Sequence, residues 1–128
     1  MTDKVVVLVT CGKAAEAHRI ARALVEGRLA ACVNELAGRV RSVYRWKGKV
    51  ETAAEYVLLI KTSRKLLAAL RAEVERLHSY DVPEVVALPI LAGSPQYLRW
   101  LEECLLRPAG KPRQGRGKRT ARSGGKKK

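Results

Sequence analysis

Val40-Arg41-Ser42-Val43-Tyr44-Arg45-Trp46-Lys47-Gly48-Lys49-Val50 is the stretch on which the fold turns. From Arg39 to Trp46 the residues alternate, with Val40, Ser42, Tyr44 and Trp46 on one side and Arg39, Arg41 and Arg45 on the other. That two-residue period belongs to a β-strand. Lys47-Gly48-Lys49 reads as a hairpin turn, a weaker signal than Asn-Gly. The return strand runs roughly from Val50 to Lys61, and Tyr56-Val57-Leu58-Leu59-Ile60 makes its second half apolar enough for a central position. Upstream, Leu29-Ala30-Ala31-Cys32-Val33-Asn34 begins the outgoing strand. Both arms exceed the ~5–6 residues usual for strands, so the hairpin projects past what two helices can cover. Its free end displays Tyr44, Trp46 and unpaired backbone edges, an aggregation hazard for a lone chain. Pairing with further copies of the chain removes the hazard, and a homo-oligomer is expected.

The flanking segments complete the pattern. Val5-Val6-Val7-Leu8-Val9-Thr10 is a continuous β-branched run, the signature of a strand covered on both faces. Ala17, Ile20, Ala21, Leu24 and Val25 recur at helical spacing, with Glu16, Arg19, Arg22 and Glu26 around the other side. Gly27 stands where a left-handed C-terminal cap belongs. Thr62 or Ser63 caps a second helix whose stripe is Leu66, Leu67, Leu70, Val74 and Leu77. Pro83 separates it from a last strand, Val85-Val86-Ala87-Leu88, and Pro89 cannot donate to a ladder, so pairing fails on that side. Ser94-Pro95 opens a closing helix with Tyr97, Leu98, Leu101, Cys104 and Leu105 inward. The order strand, helix, strand, strand, helix, strand, helix is α+β: the split βαβ arrangement of ferredoxin-like folds, with helices on one face of an antiparallel sheet.

Composition sets the limits. The 128 residues amount to about one domain. At 47% hydrophobic with no phenylalanine, the core must come from Val, Leu, Ile and Ala. No run approaches the ~18–20 apolar residues of a membrane span, and Met1-Thr2-Asp3-Lys4 leads into the first strand without the segments of a signal peptide. Three widely spaced cysteines without a Cys-x-x-Cys pair argue against a disulfide framework or structural zinc. A cytoplasmic location is expected. The net charge of +14 is unevenly placed. Residues 1–106 hold all 12 acids and 16 of the 26 basic residues, for a net +4, whereas residues 107–128 hold 10 basic residues and no acid. Residues 1–106 are therefore expected to form the domain, and 107–128 a basic, disordered tail.

Several motifs resemble the divalent-cation tolerance family, CutA. They are Leu29-Ala30-Ala31-Cys32-Val33-Asn34, Ser42-Val43-Tyr44-Arg45-Trp46-Lys47-Gly48-Lys49, Lys61-Thr62, His78-Ser79-Tyr80-Asp81-Val82-Pro83-Glu84 and Tyr97-Leu98-Arg99-Trp100-Leu101, in the family's order across residues 4–106. The resemblance implies a ferredoxin-like subunit in an interlocked homotrimer whose long hairpins pair between subunits. It also implies kinship with the trimeric PII signalling proteins, a cytoplasmic location and a role in tolerance to copper and other divalent metals. The tail has no counterpart in the family pattern.

The resemblance also directs the search for metal ligands. Family members proposed to bind copper use a first-strand cysteine and two adjacent histidines. Val9 takes the place of that cysteine, with Cys11 two residues on and on the same strand face; Leu77 replaces the first histidine and His78 matches the second. Copper favours thiolate and imidazole, so Cys11 and His78 are the candidate metal residues. His78 also reads as a helix C-terminal residue favoured by the dipole. Cys11 precedes Gly12 at a strand-to-helix turn, where a helix N-terminus lowers a thiol pKa. Cys32 and Cys104 read as small buried hydrophobes, and His18 as a surface residue.

Trp46, Lys61, Tyr80, Pro83 and Glu84 form a second candidate group, lining a cleft between subunits. Lys61 would supply charge to a small anion or metabolite, and Tyr80 or Trp46 a stacking surface. Interface packing of Trp46 and Tyr44, with Lys61 paired to an acid, accounts for the same residues. In the tail, Arg113, Arg116, Lys118, Arg119, Arg122, Lys126, Lys127 and Lys128 would bind nucleic acid or another polyanion without base stacking, or serve only solubility. No phosphate loop, Gly-x-Ser-x-Gly or His-Glu-x-x-His is present, and Glu73 and Glu75 lie beside Arg71 and Arg76 on a charge-mixed face. The reading is of a non-catalytic, trimeric metal-response protein binding copper weakly. A PII-like small-ligand sensor and a nucleic-acid accessory protein are the alternatives.

Overall fold

The computed structural model describes residues 2–107. Among them the order is β1 (Lys4–Cys11), α1 (Ala14–Glu26), β2 (Cys32–Glu35), β3 (Val40–Trp46), β4 (Lys49–Ser63), α2 (Leu67–Leu77), β5 (Val86–Pro89) and α3 (Pro95–Cys104). The tail beyond Arg107 lies outside the described residues.

All strand pairs are antiparallel. β4 is central: β1 lies along one of its edges from Lys4↔Ser63 to Cys11↔Tyr56, and β2 and β3 share the other. β5 pairs with the far side of β1, giving the order β2-β4-β1-β5 with β3 continuing on β4. This is the expected ferredoxin-like α+β arrangement. Odd-numbered residues of β1 and even-numbered residues of β4 face the helices. Val5, Val7, Val9, Cys11, Leu58 and Ile60 are buried there against Ala17, Ile20 and Leu24 of α1 and Leu70 and Val74 of α2. α3 makes a smaller cluster, Leu101 and Leu105 closing over Ala31 and Leu66.

The opposite face is apolar and has no cover among the described residues. Val6, Leu8, Val57 and Leu59 are half-buried, and Val86 and Leu88 are exposed. The unbroken β-branched run of β1 thus has one face covered by its own helices and the other left uncovered.

Local detail departs from the sequence reading in three places, and decides between its two capping candidates for α2. The outgoing arm is two strands rather than one: Glu35 pairs with Leu58 but Val40 with Glu55, so four residues, 36–39, span what β4 crosses in two. Gly38 supplies the positive φ that this bulge needs (+80°). The left-handed residue after α1 is Arg28 (φ +61°), since Gly27 stays at −84°. Ser63 caps the turn that opens α2, accepting from the Lys65 N–H, while the Thr62 hydroxyl donates to the Leu29 carbonyl. Ser94 precedes Pro95 at the start of α3, but its side chain makes no capping bond. The hairpin turn follows the sequence: Lys47 and Gly48 both have positive φ, the two-residue geometry that matches strand twist. Ile90 donates to the Lys4 carbonyl, which leaves the donor-less nitrogen of Pro89 on the outer edge of β5.

Candidate functional cleft

Four segments converge where β1 ends: Thr10 of β1, Ser42 to Trp46 of β3, Glu55 of β4, and the loop that follows α2. Register places Ser42, Tyr44 and Trp46 on the same face as Glu51, Ala53 and Glu55, because Ser42 pairs with Ala53 and Tyr44 with Glu51. The loop from Ser79 to Glu84 wraps the edge of this face. Gly12 lets it approach, since a Cβ there would stand 3.1 Å from the Tyr80 hydroxyl. The result is a cleft of about 600 Å³.

Glu55 sits at the base of the cleft and is only 7% exposed. One carboxylate oxygen accepts from the Ser42 hydroxyl at 2.6 Å and the other from the Tyr80 hydroxyl at 2.8 Å. Burial, then the hydrogen bond to Glu55 and its negative charge, push the Tyr80 hydroxyl well above the usual tyrosine range, so it remains a donor. Tyr44, Trp46 and Tyr80 form aromatic walls, and Asp81 and Glu84 add two further carboxylates.

A second network anchors the loop from behind. His78 is enclosed, its Nε2–H donating to the Thr10 carbonyl at 2.8 Å. A carbonyl can only accept, which fixes that tautomer and leaves Nδ1 to accept from the Tyr80 N–H at 3.1 Å. Glu16, buried on α1, accepts from the Ser79 N–H and hydroxyl at 2.6 and 2.9 Å. Burial opposes its ionisation, but the two Ser79 bonds outweigh that and hold the carboxyl below its usual range.

The candidate residues fall into place unevenly. Trp46, Tyr80 and Glu84 line one cleft, with Pro83 inside the Tyr80–Glu84 segment. Lys61 does not join them: it is six residues from Glu55 along β4, roughly 20 Å, and bonds Asn34. Cys11 and His78 both lie at the end of β1. Cys11 is fully buried, however, and burial, then the charges of Glu16 and Glu55, push its thiol up to about 12. No helix-induced thiolate forms, because desolvation and two nearby carboxylates outweigh any dipole. Both nitrogens of His78 are engaged, and among the described residues no three His, Cys, Asp or Glu side chains converge to hold a metal. The donors therefore do not fit a resident metal in this arrangement. Cys32 and Cys104 are half-buried rather than enclosed, and His18 is exposed, bonding Glu35. Sequence reasoning missed Glu55, an acid within an apolar strand, and Glu16, which the helical pattern assigns to solvent. In Glu55 the signal was available: one carboxylate between Ala54 and Tyr56 in a run that must be buried.

Known proteins agree with this architecture. A curated protein from Thermus thermophilus, named divalent-cation tolerance protein CutA, is 50% identical over 98 residues, 77% of this chain and 94% of its own. Mouse protein CutA is 48% identical over 95 residues, and the chain spans 53% of its length. A rice relative described as chloroplastic is 49% identical over 98 residues, 77% of this chain and 55% of its own. The solved Thermus thermophilus structure superposes with a TM-score of 0.78 at 48% identity, covering 80% of this chain and 98% of that one; the rice CutA1 structure gives 0.79 at 45%, covering 84% and 97%. Residues 5–104 match the family described as CutA1 divalent ion tolerance protein, and the chain belongs to that family.

Proposed function

We propose that the protein is a non-catalytic, cytoplasmic homotrimer acting in the response to divalent metal ions. Family membership supports the metal response. The assembly rests on one observation: the helix-free face of the sheet is apolar, and the projecting hairpin exposes Val43 (64%) and Val50 (65%) on its other side. Antiparallel sheets that face water on one side alternate polar with apolar residues, and this one does not. Further copies covering that face and pairing the hairpin edges supply what the chain lacks. Light scattering behind size exclusion tests this: a mass of three chains is expected, and a monomer at micromolar concentration overturns it.

Copper at Cys11 and His78 is the narrower reading, supported by their shared position at the end of β1. As arranged these donors do not hold a resident metal, so copper would have to displace the Cys11 proton and a His78 hydrogen bond, and only weak binding is expected. An equilibrium copper titration under reducing conditions decides it, using the full chain, a chain ending at Leu106, and His78→Ala in the shortened chain. Saturable binding that survives truncation and fails without His78 supports the site; binding indifferent to His78 removes it.

A further inference from the structure

The two faces of the β3–β4 ribbon are unlike, and each offers what the other lacks. Strand register puts Arg41, Val43 and Arg45 on one side, together with their partners Ala54, Thr52 and Val50. That outer side carries two exposed guanidinium groups and no acid, beside the exposed Val43 and Val50. The other side holds Tyr44 and Trp46 and opens into the cleft. Its lining has Asp81 and Glu84 beside the already bonded Glu55, and neither lysine nor arginine. Among the described residues no ion pair includes Arg41, Arg45, Asp81 or Glu84. One face is therefore apolar and cationic, the other aromatic and anionic. Guanidinium groups favour both aromatic ring faces and carboxylates. A phosphate backbone would answer the arginines but leave the valines exposed to water.

In one chain the two surfaces point away from each other, so they can meet only between copies. Such a contact is heterologous, and repeated head to tail it closes into a ring where the rotation allows. A two-fold pairing of the outer faces would instead set Arg41 and Arg45 against their own copies, which like charges oppose.

We infer that the Arg41–Val43–Arg45 face of one copy's ribbon docks against the Tyr44, Trp46, Asp81 and Glu84 side of the next, so that each cleft takes its counter-charge from a neighbour. The inference rests on the homotrimer proposed above and adds which surfaces meet in it.

The full chain is compared with three variants: Arg41→Glu with Arg45→Glu, Asp81→Lys with Glu84→Lys, and all four changes together. Light scattering follows the assembled mass on dilution in graded urea, and circular dichroism reports whether each variant stays folded. All four side chains are exposed, so the fold of the chain should hold. Each charge reversal should weaken assembly about tenfold or more, the scale of like charges brought together at an interface. The combined variant, whose charges are exchanged rather than opposed, should recover most of that loss. A wild-type trimer that is matched by the Arg41→Glu, Arg45→Glu variant overturns the docking and leaves the trimer standing. So does a combined variant that assembles no better than the weaker pair. Binding of duplex DNA that falls in the arginine variant at unchanged mass also overturns it, in favour of a phosphate backbone. A monomeric wild type removes the trimer itself, and the docking with it.

Discussion

Glu16 shows how one side chain can govern a loop. Its carboxylate holds both the N–H and the hydroxyl of Ser79, and through that residue the turn that carries Tyr80 into the cleft. Because its folded pKa lies below the ordinary 4.5, its contribution is fully present above that value and is lost as pH falls through the lower, folded one. Glu16→Gln should cost about 1.5–3 kcal/mol at neutral pH, the worth of hydrogen bonds to a charged group. It should also flatten the loss of stability below pH 4.5; chemical denaturation across pH measures both. At neutral pH, a thiol reagent should modify the half-buried Cys32 and spare Cys11 until the chain unfolds. These residues mark the limit of sequence reading. Periodicity put Glu16 on the solvent side of α1, and nothing local shows that a loop 63 positions away returns to meet it. Cys11 was legible as a strand-end residue, but its pKa depends first on burial and then on Glu16 and Glu55, brought near only by tertiary folding.

At the scale of elements, the alternation of β3 and the apolar second half of β4 were read correctly because each signal lies within a single strand. The two-residue turn between them was legible for the same reason. Gly48 has φ +80°, so Gly48→Val should cost about 1–2 kcal/mol, visible as a lower unfolding temperature, while Gly27→Ala, at φ −84°, meets no left-handed penalty but crowds the Ala23 carbonyl oxygen at 3.2 Å. The bulge at residues 36–39 was hidden, because the apolar pattern on either side of it is intact. Within one chain Lys61 stands apart from Trp46, Tyr80 and Glu84, because sequence motifs give membership of a group but not its distances, and six residues of extended strand separate it from Glu55.

For the whole molecule, the exposed hairpin and the basic C-terminal sequence lead to separate expectations. Val43→Lys places a charge on the exposed hairpin surface and should lower the assembled mass without unfolding the helix-covered core. The 10 basic residues of 107–128 give a second test. Binding to duplex DNA should fall steeply with added salt and vanish in a chain ending at Leu106, with no dependence on sequence. Binding that survives truncation would move that property to the domain. The bulge bears on assembly as well. It adds two residues rather than one, so Cys32 and Asn34 before it and Ser42, Tyr44 and Trp46 after it stay on the same side of the ribbon. An odd change of length between Leu36 and Arg39 would instead turn the arginines of β3 toward the cleft and swing its aromatics away. Insertions and deletions are therefore tolerable there only in even steps: a parity rule for this segment, under which one lost codon is more damaging than two.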